Sequence, residues 1–151
     1  FDPDFEGDAG PMNRSIGSGP VDSIEWMLSL QRLLLGGQGA EYSVKSSSLG
    51  EILTPTNFNI KAASTQGSAQ VDAVKIDQTG IYVQRGGARV YELSFDQSGV
   101  DYSSSHLSAL VPEIGLPEIV KLAVQRQPDT RVHCLRSDGT VRSLCSTRQS
   151  R

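Results

Sequence analysis

The chain has 151 residues, of which 37% are hydrophobic and 6% aromatic, with 15 glycines and a net charge of −3. That length allows one ordinary domain, and its low apolar content suits thin β-units joined by turns better than a helical bundle. So mild a charge excludes a basic nucleic-acid footprint, no apolar run reaches the roughly 20 residues of a membrane helix, and no basic-then-apolar leader opens the chain.

Residues 1–20 carry Asp2, Asp4, Glu6 and Asp8 among glycines and prolines. They read as an irregular acidic arm, because the alternation lacks the glycine and closing Glu of a calcium loop. Residues 21–151 read as a single β-repeat domain. Ile24, Trp26 and Leu28 alternate as in a strand, although Ile24, Met27 and Leu28 also have helical spacing. The hairpin that follows at once, Arg32 to Val44, favours the strand. It has an apolar run, the glycine-rich turn Gly36-Gly37-Gln38-Gly39, and alternation through Tyr42 and Val44. Beyond a polar turn at 46–50, Pro55 holds Thr54 extended and Asn57 to Ile60 reads as a short strand. Residues 61–70 are small and polar with Gly67 as pivot, and Val71 to Ile76 alternates again.

Two β-type runs then flank Gly86-Gly87, predicting a hairpin that sets Val83 opposite Val90 and Tyr82 opposite Tyr91. Ser103-Ser104-Ser105 predicts the cap of a short helix near 104–111, limited by Pro112 and Pro117. Glu118 to Gln125 alternates in part, Pro128-Asp129 turns it, and Arg131 to Cys145 forms a third hairpin about Asp138-Gly139. Folding there places Leu144 opposite His133 and puts Cys134 and Cys145 diagonally on one face, as unbridged small apolar residues. The polar tail 146–151 is expected to fray.

The turn glycines Gly39, Gly87 and Gly139 lie 48 and 52 positions apart. A β-like segment precedes each hairpin, and a connection able to supply an outer strand follows the first two. This period predicts an all-β, propeller-like array of about three β-meander blades, a partial propeller, with an open sandwich or barrel as the alternative. The WD and Kelch signature residues are absent, so period and strand order alone carry the reading. Three blades leave unpaired faces. The chain, opening at Phe1, therefore reads as a piece of a longer protein or as a unit whose edges neighbouring subunits cover.

No constellation for catalysis emerges. His106 and His133 lack ligands at zinc spacing, and the nucleophile elbow Gly-x-Ser-x-Gly is missing. Glu92, Asp96, Asp101 and Glu113 read as surface acids. The glycine-rich Gly36–Gly39 stretch lacks the lysine and helix of a phosphate loop. The expectation is a non-enzyme with no catalytic residue, cofactor or metal. Arg85 and Arg89, flanking the double glycine, are the candidate assembly contact.

Four blocks carry a resemblance: Leu53-Thr-Pro-Thr-Asn-Phe-Asn-Ile60, Thr65-Gln-Gly-Ser68, Ile81-Tyr-Val-Gln-Arg-Gly-Gly-Ala-Arg-Val-Tyr-Glu-Leu-Ser-Phe95 and Arg136-Ser-Asp-Gly139. In this order and spacing the chain resembles the tail tubular, or nozzle, proteins of short-tailed phages, often labelled phage stabilisation proteins, over roughly Ser23 to Leu144. It departs from them at His106-Leu-Ser-Ala-Leu-Val-Pro-Glu113, where the family has a Leu-Thr-x-Leu-Ala core, and at Leu144-Cys145-Ser146, where an aromatic is expected. The resemblance implies a structural virion subunit with a β-propeller, assembled in the host cytoplasm into a hexameric ring at the end of the tail. Such a ring extends the DNA channel, meets adaptor and fibre proteins, and passes DNA without sequence-specific binding. The alternative function is a propeller that binds host-surface glycans or another ligand.

Overall fold

The computed structural model of the chain describes residues 10–12, 16, 23–46, 51–98 and 100–145. Its strands form three antiparallel meanders. Blade A comprises β1 (Ile24–Ser29), β2 (Leu33–Gly37), β3 (Glu41–Lys45) and β4 (Asn59–Ser64). Blade B comprises β5 (Val74–Ile76), β6 (Thr79–Val83), β7 (Val90–Asp96) and β8 (Asp101–His106). Blade C comprises β9 (Ile119–Gln125), β10 (Arg131–Arg136) and β11 (Val141–Cys145). The fold is all-β and propeller-like, with three blades, as the repeat predicted. Most of the acidic arm, residues 47–50 of the polar turn and the tail 146–151 lie outside the described residues.

Blade B is covered on both faces, and this organises the molecule. All five residues of β6 are buried. Ile81 and Val83, with Val90 of β7, face blade C and pack with Ile119, Leu122, Val132 and Cys134. Tyr82, Tyr91, Leu93 and Tyr102 face blade A and pack with Trp26 and Leu34. Each fully buried aliphatic side chain contributes about 1.5–3 kcal/mol. The far face of blade A carries a third cluster, Leu35, Tyr42 and Val44, covered by Ile16, Leu53 and Phe58.

The hairpin loops differ from their predicted geometry in instructive ways. In β6–β7, Gly87 alone has a positive φ, +74°. Gln84 N donates to Arg89 O at 2.9 Å and Gly87 N to Gln84 O at 2.8 Å. Residues 85–88 therefore form a four-residue loop in place of a two-residue turn on Gly86-Gly87. One extra residue on either side keeps the pairing symmetric, so Val83 opposes Val90 and Tyr82 opposes Tyr91, as expected.

In β10–β11 the shift is by a single residue. Arg136 N donates to Thr140 O, and Gly139, at φ +81°, donates its N–H to Arg136 O. Residues 137–139 make a three-residue loop, and an odd shift turns every side chain of β11 to the other face. His133 consequently faces Ser143 instead of Leu144. Cys134 opposes Arg142 and Cys145 opposes Arg131, which puts the two cysteines on opposite faces, Cys134 buried and Cys145 exposed, both free.

The short helix near 104–111 is not formed. Residues 104–106 belong to β8, where Tyr102, Ser104 and His106 face blade A while Ser103 and Ser105 turn outward. Serines on both faces hide that period of two. The only helical element among the described residues is a 3-10 turn at Pro112–Gly115. Strand limits also move: β4 starts at Asn59 and runs on to Ser64, while β5 begins only at Val74. Asn57 instead closes a Pro55-Thr56 turn by donating its N–H to Thr54 O.

Candidate functional site

The most chemically distinctive residues gather where blades A and B meet. Trp26 lies opposite Gly36, and a Cβ on Gly36 would overlap the indole. The ring reaches across to Tyr82 (centroids 5.5 Å apart), which is followed by Tyr91 (5.8 Å) and His106 (4.8 Å) in a continuous aromatic row. The Tyr82 hydroxyl shares a 2.8 Å hydrogen bond with Ser104. Burial pushes that phenol above its usual range against the opposing Ser104 bond, with the charge of Glu41 adding to the effect. Glu41 is itself fully buried and accepts a 2.8 Å bond from Ser68 Oγ. Its Oε2 and Trp26 Nε1, an acceptor and a donor, have no hydrogen-bond partner in this joint.

A second polar knot lies further along the same joint. Asp101 at the start of β8 accepts bonds at Oδ1 from Arg32 Nη1 (2.7 Å), Ser43 Oγ (2.7 Å) and its neighbour's Tyr102 N (2.8 Å). Lys61 of β4 stands 3.6 Å from Oδ2. Arg32 also donates to Val100 O at 2.9 Å and lies over the Phe95 ring. Burial opposes the Asp101 charge, but the Ser43 and Tyr102 bonds together with Arg32 and Lys61 prevail, and the carboxyl titrates below its ordinary range. Asp101 is thus a buried inter-blade clamp and not the surface acid its sequence context suggested. Nothing local in the sequence signals this, because Arg32 and Ser43 lie 69 and 58 positions away.

Residues 67–69 run as a strap between the two blades. Ser68 N donates to Gly37 O, Arg85 N to Gly67 O and Ala69 N to Val83 O, at 2.8–3.0 Å. Above it opens a polar cleft of about 630 Å³ lined by Ser23, Glu25, Gln38, Ser68, Gln70 and Arg85, with Ile24 and Ala69. On its blade A wall, Glu25 Oε1 accepts from Ser23 Oγ (2.5 Å) and Gln38 Nε2 (2.9 Å). Of the two sequence candidates, Arg85 lines this cleft and Arg89 does not, although both stand exposed on the β6–β7 connection. Neither guanidinium has a partner among the described residues.

The histidines are far apart. His106 stacks on Tyr91 and shares a 3.1 Å bond with Ser108, whereas His133 bridges Ser143 (2.7 Å) and Gln125 (2.9 Å) on blade C. Among the described residues no group of three or more His, Cys, Asp or Glu could hold a metal ion. No described helix is long and apolar enough to cross a membrane. Burial pushes the Cys134 thiol up to about 11, so it is a packed apolar group at neutral pH. No known protein-family model matches the chain, and no curated protein matches its sequence.

Proposed function

We propose that this chain is a structural component of a short-tailed phage virion, a subunit of the tail tube or nozzle ring that extends the DNA channel and anchors fibres. The reading rests on its resemblance to the nozzle proteins, and one observation favours it. Most of the residues named below, from the blocks that carry the resemblance, are spent on packing and tying the blades. Leu53, Phe58 and Ile60 cover the outer face of blade A. Gly67 and Ser68 form the strap. Ile81, Val83 and Val90 fill the joint with blade C, and Tyr82, Tyr91 and Leu93 the joint with blade A. Arg136 Nη1 donates to Leu116 O, and Ser137 N to Glu118 O, tying β10 and its loop back to the segment entering blade C. Of the residues in these blocks only Ser68 and Arg85 also line the cleft; the others named are distributed as structural ties.

Self-association in a ring with adaptor and fibre partners, location in the tail and assembly in the host cytoplasm all follow from this reading. A net charge of −3 suits a conduit that DNA must pass without being gripped, since each cationic phosphate contact adds salt-dependent affinity. Native mass spectrometry of the chain tests the proposal. The expected outcome is a closed species of several copies; a stable monomer that binds glycans would overturn it in favour of a receptor-binding propeller.

A further inference from the structure

We propose that Ser143 is a base-activated nucleophile that takes an acyl group from a small activated ester, with His133 as its general base and Gln125 as the residue that positions the base. The three side chains stand on the face of blade C turned away from blade B. Val132 and Cys134 point into the joint with blade B, so His133, between them on β10, points outward. Ser143 of β11 lies directly opposite it on one side and Ala123 of β9 on the other. Gln125 occupies the next row of β9, diagonal to His133 and within reach of its ring. A two-residue turn at Asp138-Gly139 would have set Leu144 in the place of Ser143. The three-residue loop is what brings hydroxyl and imidazole together.

The hydrogen bonds give this row a direction. Gln125 Nε2 donates to Gln127 O at 2.7 Å, so the amide nitrogen is committed to a carbonyl that can only accept. The amide oxygen is the atom left for the imidazole, and it accepts from His133 Nε2 at 2.9 Å. A neutral imidazole carries one N–H. With that hydrogen on Nε2, Nδ1 is the acceptor, and the Ser143 hydroxyl donates to it at 2.7 Å. The order is that of nucleophile, base and orienting group in acyl-transfer sites, with an amide as orienter, as in proteases that pair Cys and His with Asn.

Exposure fits these roles. Ser143 is exposed and open to a ligand, whereas His133 and Gln125 are half-buried and held in the sheet. Leu135 and the exposed Val141 form the adjoining row, and with Ala123 they make a small apolar shelf beside the hydroxyl. That shelf suits a short acyl chain or an aromatic leaving group. Arg131, in the row on the other side, is engaged by Asp129 at 3.1 Å. In the reaction Ser143 Oγ attacks the ester carbonyl carbon while its proton passes to His133 Nδ1. The bond from carbonyl carbon to Ser143 forms, the ester C–O bond breaks, and the proton on Nδ1 leaves with the departing oxygen. Ser143 is left as an acyl ester and His133 as the neutral base.

Acetylation of the full chain by p-nitrophenyl acetate at neutral pH tests this, in a Cys145→Ser background that removes the exposed thiol at the end of β11. Peptide mass spectrometry over time reads the rate at each serine. Ser143 should be acetylated roughly 100-fold faster than Ser103, an exposed strand serine of β8, and His133→Ala should abolish that advantage. His133→Gln, which keeps a hydrogen-bonding side chain but supplies no base, should do the same where alanine disturbs the sheet. Gln125→Leu should slow Ser143 by about tenfold or more and Gln125→Glu should restore it, because a carboxylate also accepts from Nε2. An unchanged circular dichroism spectrum verifies folding in each variant. Ser143 reacting no faster than Ser103, or at a rate indifferent to both His133 variants, overturns the proposal. Acetyl that accumulates on His133 while Ser143 stays free overturns the assignment of the nucleophile. Equal rates in Gln125→Leu and the parent remove Gln125 from the positioning role.

Discussion

Gly86 and Gly87 are chemically identical neighbours with different duties. Gly87 sits at φ +74°, where a side chain costs about 1–2 kcal/mol, and a Cβ there would stand 3.2 Å from Glu118 Cγ. Its carbonyl also accepts the Ile119 N–H at the start of blade C. A Cβ on Gly86 would meet nothing within 4 Å. Gly87→Ala should therefore destabilise the chain by about 1–2 kcal/mol, while Gly86→Ala should stay within about 0.5 kcal/mol of wild type. Urea denaturation of the two variants distinguishes them, and equal midpoints would mean that the turn does not depend on the left-handed conformation.

At the scale of elements, β8 is fastened to blade A through Asp101. Its carboxyl pKa is depressed below the ordinary 3.8. Since the folded state binds this proton more weakly than the unfolded state, the contribution is fully present above pH 3.8 and is lost as pH falls through that value toward the folded pKa. Asp101→Asn removes the charge and leaves the half-buried Arg32 without its counter-ion, at a cost of about 1–3 kcal/mol near neutrality once its partial contact with water is allowed for. The gap between wild type and variant, measured by urea midpoints from pH 7 to pH 3, should narrow only below about pH 4. A gap independent of pH would remove the ion pair from the explanation. The hairpins were legible in the sequence because alternation and turn glycines are local signals. β8 was not, because its serines occupy both faces. The clamp was invisible for a different reason: Arg32, Ser43, Lys61 and Asp101 come together only once blades A and B stack. The single-residue error at Asp138-Gly139 shows how finely register depends on loop length, since Gly139 in the left-handed region makes a loop of three and sends Cys145 to the face opposite Cys134.

For the whole molecule, blade B is the member that both neighbours need. Its two faces supply both joints, whereas β11 of blade C is mostly exposed and, among the described strands, pairs only with β10. In a one-dimensional array each unit is stabilised by its nearest neighbours, so loss of the central unit removes two interfaces and loss of an outer edge removes none. Leu93 is fully buried in the joint with blade A, while Leu144 of β11 is half-buried at the margin of the joint with blade C. Leu93→Ala should cost about 2–5 kcal/mol, and Leu144→Ala less, because part of that side chain already meets water. Amide hydrogen exchange reads the difference by region. With Leu93→Ala, protection should fall together in β2, β6, β7 and β10, as one cooperative unit opens more often. With Leu144→Ala the loss should be confined to β10 and β11. If Leu93→Ala instead leaves blade C as protected as in the wild type, the blades open independently, and the central role given to blade B is wrong.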